Sequence, residues 1–191
     1  MLLMASKDFI IYYIRRNLME GTMDYYKQIL KRKSFHIFKN PGVITDDEMQ
    51  RLNDFLHIVK PLNTEIKTEI HIVPESETTC KRGGQFCILF YSESKDEYLR
   101  NIGYIGEQID LYLASHNIGA LWFGIGTPND RKINGLDYVI MIPIAKMPED
   151  KFRKDLSKSK RKPLSVIWDC GKQEQHYLSA QPNRRDLCRA G

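Results

Sequence analysis

Six bulky residues in a row, Phe86-Cys87-Ile88-Leu89-Phe90-Tyr91, follow the turn-forming pair Gly83-Gly84. A run this short, with no polar residue alternating, reads as a β-strand buried on both faces. Such a strand needs neighbours for its backbone hydrogen bonds. Two other stretches can supply them. Ile66, Ile70 and Ile72 alternate through 65–73, and Tyr138 to Ala145 is another apolar strand with Pro143 near its end. Leu121-Trp122-Phe123-Gly124 reads as a further short strand, and Cys87 as a packing residue.

Between these strands the spacing changes from two to three-and-four. Thr45-Asp46-Asp47-Glu48 is a capping box, with Thr45 as N-cap and Glu48 reaching back, flanked by Ile44 and Met49 at the staple positions. The helix that follows carries Met49, Leu52, Phe55, Leu56 and Val59 on one face, and Pro61 ends it. Residues 96–117 form a long helix with Ile102, Ile105, Ile109 and Leu113 as its buried stripe. Glu107 and Asp110 are placed on its outward side. Gly103 and Gly106 stand where another helix or a flat ring can come close. A shorter helical pattern begins at Asp24 and runs through Tyr26, Ile29, Leu30 and Lys33.

At 191 residues the chain is one domain with extensions, and a charged fraction of 28% is ordinary for a globular protein. Its four cysteines (Cys80, Cys87, Cys170, Cys188) form no CxxC pair and no zinc-like spacing with histidine, so free thiols in a reducing cytoplasm are expected. No apolar run approaches the roughly 20 residues of a membrane helix. Residues 1–22 lack the charged start and small-residue cleavage site of a signal peptide. In a bacterial gene, the codons for Met19-Glu20-Gly21 would resemble a ribosome-binding site just before Met23. The expected organisation is therefore an extension over 1–22, a domain over 23–168 and an irregular tail over 169–191. No Ser/His/Asp set, paired-carboxylate motif or metal cluster is present in the sequence, and no catalytic side chain is assigned.

A net charge of +5 favours anionic ligands, and the cations are concentrated in two places. Lys31-Arg32-Lys33-Ser34 ends the first helix, where it is either a solvated end favoured by the helix dipole or a set of donors for a phosphate. The second cluster runs from Lys151 to Lys162. It is either a solvated or nucleic-acid-facing patch, or a second phosphate contact. Arg82-Gly83-Gly84 could approach a phosphate, but a single glycine pair is read first as a loop, and Gly124-x-Gly126 lacks the third glycine of a dinucleotide fingerprint.

Three segments in order resemble the nitroreductase-like FMN flavoproteins. Arg32-Lys33-Ser34-Phe35-His36-Ile37-Phe38 resembles that family's Arg-Arg-Ser-x-Arg-x-Phe opening. Asn101 to Gln108, continued by His116 to Gly124, resembles its central helix and Gly-x-x-Trp exit. Lys160-Arg161-Lys162-Pro163-Leu164 resembles its Lys-Arg-Arg-Pro-Leu element. The resemblance implies an α+β fold with an antiparallel-type sheet packed by helices, and a homodimer or pseudo-dimer with FMN at the subunit interface. It implies that Arg32, Lys33 and Ser34 meet the phosphate and ribityl chain, with Lys160, Arg161 and Lys162 closing over the phosphate. His36 would stand at the pyrimidine edge and Gly124 nearest the isoalloxazine. His36 replaces a cation and stabilises an anionic reduced ring less well. The family's Ala-Pro-Ser-x-x-Asn-x-Gln-Pro-Trp segment has only a faint echo in Leu178 to Arg184, so part of the pocket is expected to be missing from the tail.

The activity so implied moves electrons from NAD(P)H through FMN to a small electron-poor acceptor such as a nitroaromatic or quinone. Two other readings stand beside it: a flavin-binding relative without efficient turnover, and a basic nucleic-acid-binding module. The cluster at 151–162 has no interleaved aromatics, which counts against the last.

Overall fold

A computed structural model describes residues 25–155. Its core is a mixed helix and antiparallel-sheet domain. The expected extension and tail, and Lys160, Arg161 and Lys162 with them, lie outside the described residues.

The elements run α1 (Tyr25–Lys31), α2 (Asp46–Leu56), β1 (Thr68–Pro74), β2 (Phe86–Ser92), α3 (Tyr98–Ser115), β3 (Ile118–Ala120), β4 (Lys132–Ile133) and β5 (Leu136–Lys146). The sheet order is β1-β2-β5-β3, with β4 paired to β5, and every strand pair is antiparallel. The apolar run at Phe86 is the strand β2 between β1 and β5, and it is buried from Cys87 to Ser92.

The two faces of β2 meet different partners. Ile88 and Phe90 pack with Leu52 and Phe55 of α2 and with Ile102, Ile105 and Ile109 of α3. Cys87, Leu89 and Tyr91 face a second cluster with Cys80, Leu136 and Met141. One side is therefore covered by helices and the other by loops and the β4–β5 hairpin. That hairpin was not anticipated from the sequence. It turns at Asn134 (φ 51°) and Gly135 (φ 82°), the left-handed backbone of a two-residue turn.

The capping box at α2 is complete. The Thr45 hydroxyl accepts from the Glu48 amide at 3.2 Å, and Glu48 Oε2 accepts from the Thr45 amide at 3.1 Å. Glu48 also receives a bond from Lys146 Nζ, which donates to the His116 carbonyl at 2.8 Å as well. These bonds tie the start of α2 to the end of β5 and the end of α3. Burial alone would raise the Glu48 carboxyl. The Lys146 ammonium and the Thr45 bonds outweigh it and hold the group below the ordinary carboxyl value. A carboxyl lowered on folding adds stability above its unfolded value, and that stability is lost as pH falls through the folded value. Urea unfolding midpoints measured from about pH 6 down to about pH 3 should therefore fall less steeply in Lys146→Met than in the wild type.

Several boundaries differ from the sequence reading. Strand β1 begins at Thr68, because Ile66 is already buried in the turn before it. Residues 121–124 do not form a strand: β3 covers 118–120, and beyond it Phe123 makes a single bridge to Met141. Asp110 does not face outward. It is 2% exposed, on the buried side of α3.

Candidate functional site

The basic segment after α1 is held to the sheet by its aromatic residues. Phe35 and Phe38 are buried in a small cluster with Ala145, Met147 and Phe152. Gly119 has to be glycine there, since a Cβ would lie 2.7 Å from Met147 and 2.9 Å from Phe35. With Phe35 inserted, its amide donates to the Ala120 carbonyl at 3.0 Å and Ser34 bridges Ala120 in parallel. The Arg32–Ser34 stretch thus runs beside the exit from β3, which continues into Trp122 and Gly124.

One carboxylate joins these segments to α3. Asp110 Oδ2 accepts from Arg32 Nε at 2.6 Å and from Trp122 Nε1 at 2.9 Å. The Asp110 side chain is 3% exposed and that of Arg32 is 22% exposed. The indole ring lies over Gly106 and is nearly parallel to Phe90, with centroids 6.4 Å apart. Gly106 therefore admits a side chain of its own chain. A Cβ on Gly103, by contrast, would meet nothing within 4 Å. Among the described residues Asp110 is the only hydrogen-bonding partner of the Arg32 guanidinium. Among the described residues its Nη groups have no hydrogen-bond partner, which leaves them able to meet an anion.

The other expected residues are arranged as follows. Lys33 Nζ lies over the Phe35 ring at 4.8 Å. His36 is exposed. Gly124 is exposed, and a Cβ there would meet nothing within 4 Å. The two expected basic clusters cannot be compared, because Lys160, Arg161 and Lys162 lie outside the described residues.

Arg82 is a further cation, in the loop before β2. Its carbonyl accepts from the Phe38 amide at 2.9 Å, and its guanidinium lies 5.1 Å over Phe123, next to Gly124. The loop bearing it is closed by Glu75, whose Oε1 accepts from the Arg82 amide at 3.0 Å, the Gly84 amide at 3.1 Å and Cys80 Sγ at 3.2 Å. Burial, with the Glu75 bond adding to it, pushes the Cys80 thiol up to about 12, and burial pushes Cys87 up to about 11. Neither is a thiolate nucleophile at neutral pH. Beside Asp110, burial first and then the Asp110 charge raise the Glu107 carboxyl, against the opposing pull of Arg32.

Lys31, Arg32 and Lys33 thus lead into the Ser34–Ala120 bridge, and Arg82 lies over Phe123, the residue before the exposed Gly124, with Asp110 buried behind Arg32. This arrangement suits a flat ligand carrying a phosphate: donors at one end and an unobstructed backbone at Gly124. Among the described residues no group of His, Cys, Asp and Glu is placed to hold a metal, and no helix is long and apolar enough to cross a membrane. A separate cleft of about 470 Å³ lies between α2 and β1, lined by Leu56, His57, Val59, Ile66, Ile70 and Ile105. None of the expected site residues lines it.

The sequence model of the family described as "Putative TM nitroreductase" matches residues 24–179. Among solved structures, the fold is similar to a nitroreductase family protein from Clostridium difficile 630, at 12% identity and TM-score 0.55, over 77% of this chain and 98% of that one. It is similar to a "Putative NADH dehydrogenase/NAD(P)H nitroreductase" from Parabacteroides distasonis, at 14% identity and TM-score 0.55, with the same coverage of 77% and 98%. It is also similar to a "putative nitroreductase in complex with fmn" from Desulfovibrio desulfuricans, at 14% identity and TM-score 0.52, over 78% and 96%. No curated protein matches the sequence.

Proposed function

Since the chain belongs to the nitroreductase-like family whose model spans residues 24–179, we propose that it is an FMN-dependent oxidoreductase working between NAD(P)H and an electron-poor acceptor such as a nitroaromatic or quinone. The observation that carries this reading is the convergence of Arg32 and Trp122 on Asp110, which fixes the guanidinium on the segment that runs beside the exit from β3 toward Gly124. When bound, FMN supplies the electron transfer, and no side-chain nucleophile is required.

In this reading Arg32 donates to the phosphate and Ser34 bonds the phosphate or ribityl chain. Lys33 adds charge, and Gly124 leaves space for the ring. Lys160, Arg161 and Lys162, proposed from the family resemblance as further phosphate contacts, lie outside the described residues. The protein acts as a homodimer or pseudo-dimer in the cytoplasm, and its acceptor is a small molecule, with no nucleic acid or membrane partner.

One observation favours a second reading, a flavin-binding protein with poor turnover. His36 replaces a cation and stands exposed, so a reduced anionic ring gains less from it. A visible absorption spectrum, taken after FMN is added and the excess removed, tests the site itself. Retained flavin bands are expected, and a folded sample without them would refute the proposed function. Steady NAD(P)H oxidation with a quinone then separates the two readings: sustained turnover favours the reductase, and a single reduction without turnover favours the second.

A further inference from the structure

We propose that Asp110 is a positioning residue for Arg32 and at the same time an internal counter-ion that holds down the affinity of the site for its phosphate ligand. The inference rests on the function proposed above, and it concerns a residue that no motif assigns.

The geometry gives Asp110 both roles. By taking Nε at 2.6 Å, it fixes the guanidinium plane and leaves the two Nη groups as a fork for phosphate oxygens. Trp122 Nε1, donating to the same oxygen at 2.9 Å, fixes the carboxylate in turn. The carboxylate is 3% exposed, but the guanidinium in front of it is 22% exposed, so solvent on the ligand side screens much of its charge. A phosphate on the far side of the guanidinium is attracted by Arg32 and repelled by Asp110. Orientation and charge therefore act on affinity in opposite directions, and substitutions can separate them. Asparagine retains an acceptor for both Arg32 and Trp122 while losing the charge. Alanine loses both.

The test is FMN binding by flavin fluorescence titration, at low and high salt, for wild type, Asp110→Asn, Asp110→Ala and Arg32→Ala. Across the width of a guanidinium, loss of one unit charge in a nearly aqueous dielectric corresponds to about fivefold. Asp110→Asn should therefore bind FMN about fivefold more tightly than wild type, with a steeper salt dependence. Asp110→Ala should bind more weakly than Asp110→Asn, because the fork is no longer oriented. Equal or weaker binding by a folded Asp110→Asn, with the wild-type salt dependence, would overturn the counter-ion role while the proposed function stood. A wild type that binds no FMN would overturn both. If Asp110→Asn does not fold, Asp110→Glu replaces it. That variant keeps the charge and should keep the wild-type salt dependence while losing affinity through misplacement of the fork; a steeper salt dependence would overturn the proposal.

Discussion

Arg32→Ala should lower the unfolding free energy by about 3 kcal/mol and weaken FMN binding by about 1.5–3 kcal/mol. The two losses arise at opposite ends of one guanidinium. At the inner end, among the described residues, Asp110 keeps only the Trp122 bond and becomes a buried carboxylate without a cation. Breaking a buried pair from one side costs more than the pair was worth, and the partial exposure of Arg32 places the expectation at the low end of that range. At the outer end, the Nη donors to the phosphate are gone. Chemical denaturation of the apo-protein reads the first loss, and a flavin titration reads the second. Replacing Asp110 by leucine in the Arg32→Ala background should recover part of the stability, since no stranded charge remains, but none of the flavin affinity. An apo-protein as stable as the wild type would show that Asp110 is not left uncompensated, contrary to the geometry at 2.6 Å.

The second large effect is a reversal of sign within one turn of α3. Alanine is a better helix former than glycine by about 1 kcal/mol, so Gly103→Ala, with open space around its Cβ, should gain up to that amount. At Gly106 the same methyl group would lie 2.4 Å from Cη2 and 2.9 Å from Cζ2 of Trp122. The indole cannot simply swing aside, because Nε1 is bonded to Asp110 and the ring is stacked along Phe90. Gly106→Ala should lose about 2 kcal/mol and Gly106→Val about 3 kcal/mol, as overpacking displaces the ring or the helix. Thermal unfolding of the three variants, with tryptophan fluorescence as a local probe, measures this. Equal gains at both glycines would mean that Trp122 does not rest on α3.

These contacts also show what the sequence could disclose. The α2 cap was legible because Thr45 and Glu48 lie three residues apart and satisfy one another without the rest of the fold. The two-sided strand β2 was legible because apolar side chains on both faces demand cover on both faces. Asp110 was misplaced for the opposite reason. A period of 3.6 assigns an acid next to the apolar stripe to solvent, and what reverses the assignment is Arg32, 78 residues away. The pairing of Ser34 with Ala120 is similarly non-local. The Asn134-Gly135 hairpin carried a readable local signal that was missed, since its β4 strand is only two residues long. Of the candidate site, the Arg32–Ser34 segment and Gly124 are proposed from family resemblance alone. Arg82 beside its glycine pair is a local signal for a phosphate, but its place over Phe123 is made by the Phe38 and Glu75 bonds rather than by a pattern around it.

The Glu75 carboxylate gives that loop one further property. It fills the concavity of backbone amides at Arg82 and Gly84 that an external phosphate would otherwise enter. The loop therefore carries its own anion, and its shape is set by contacts internal to the chain. Those contacts also place Arg82 over Phe123, so little conformational freedom would be surrendered there on binding.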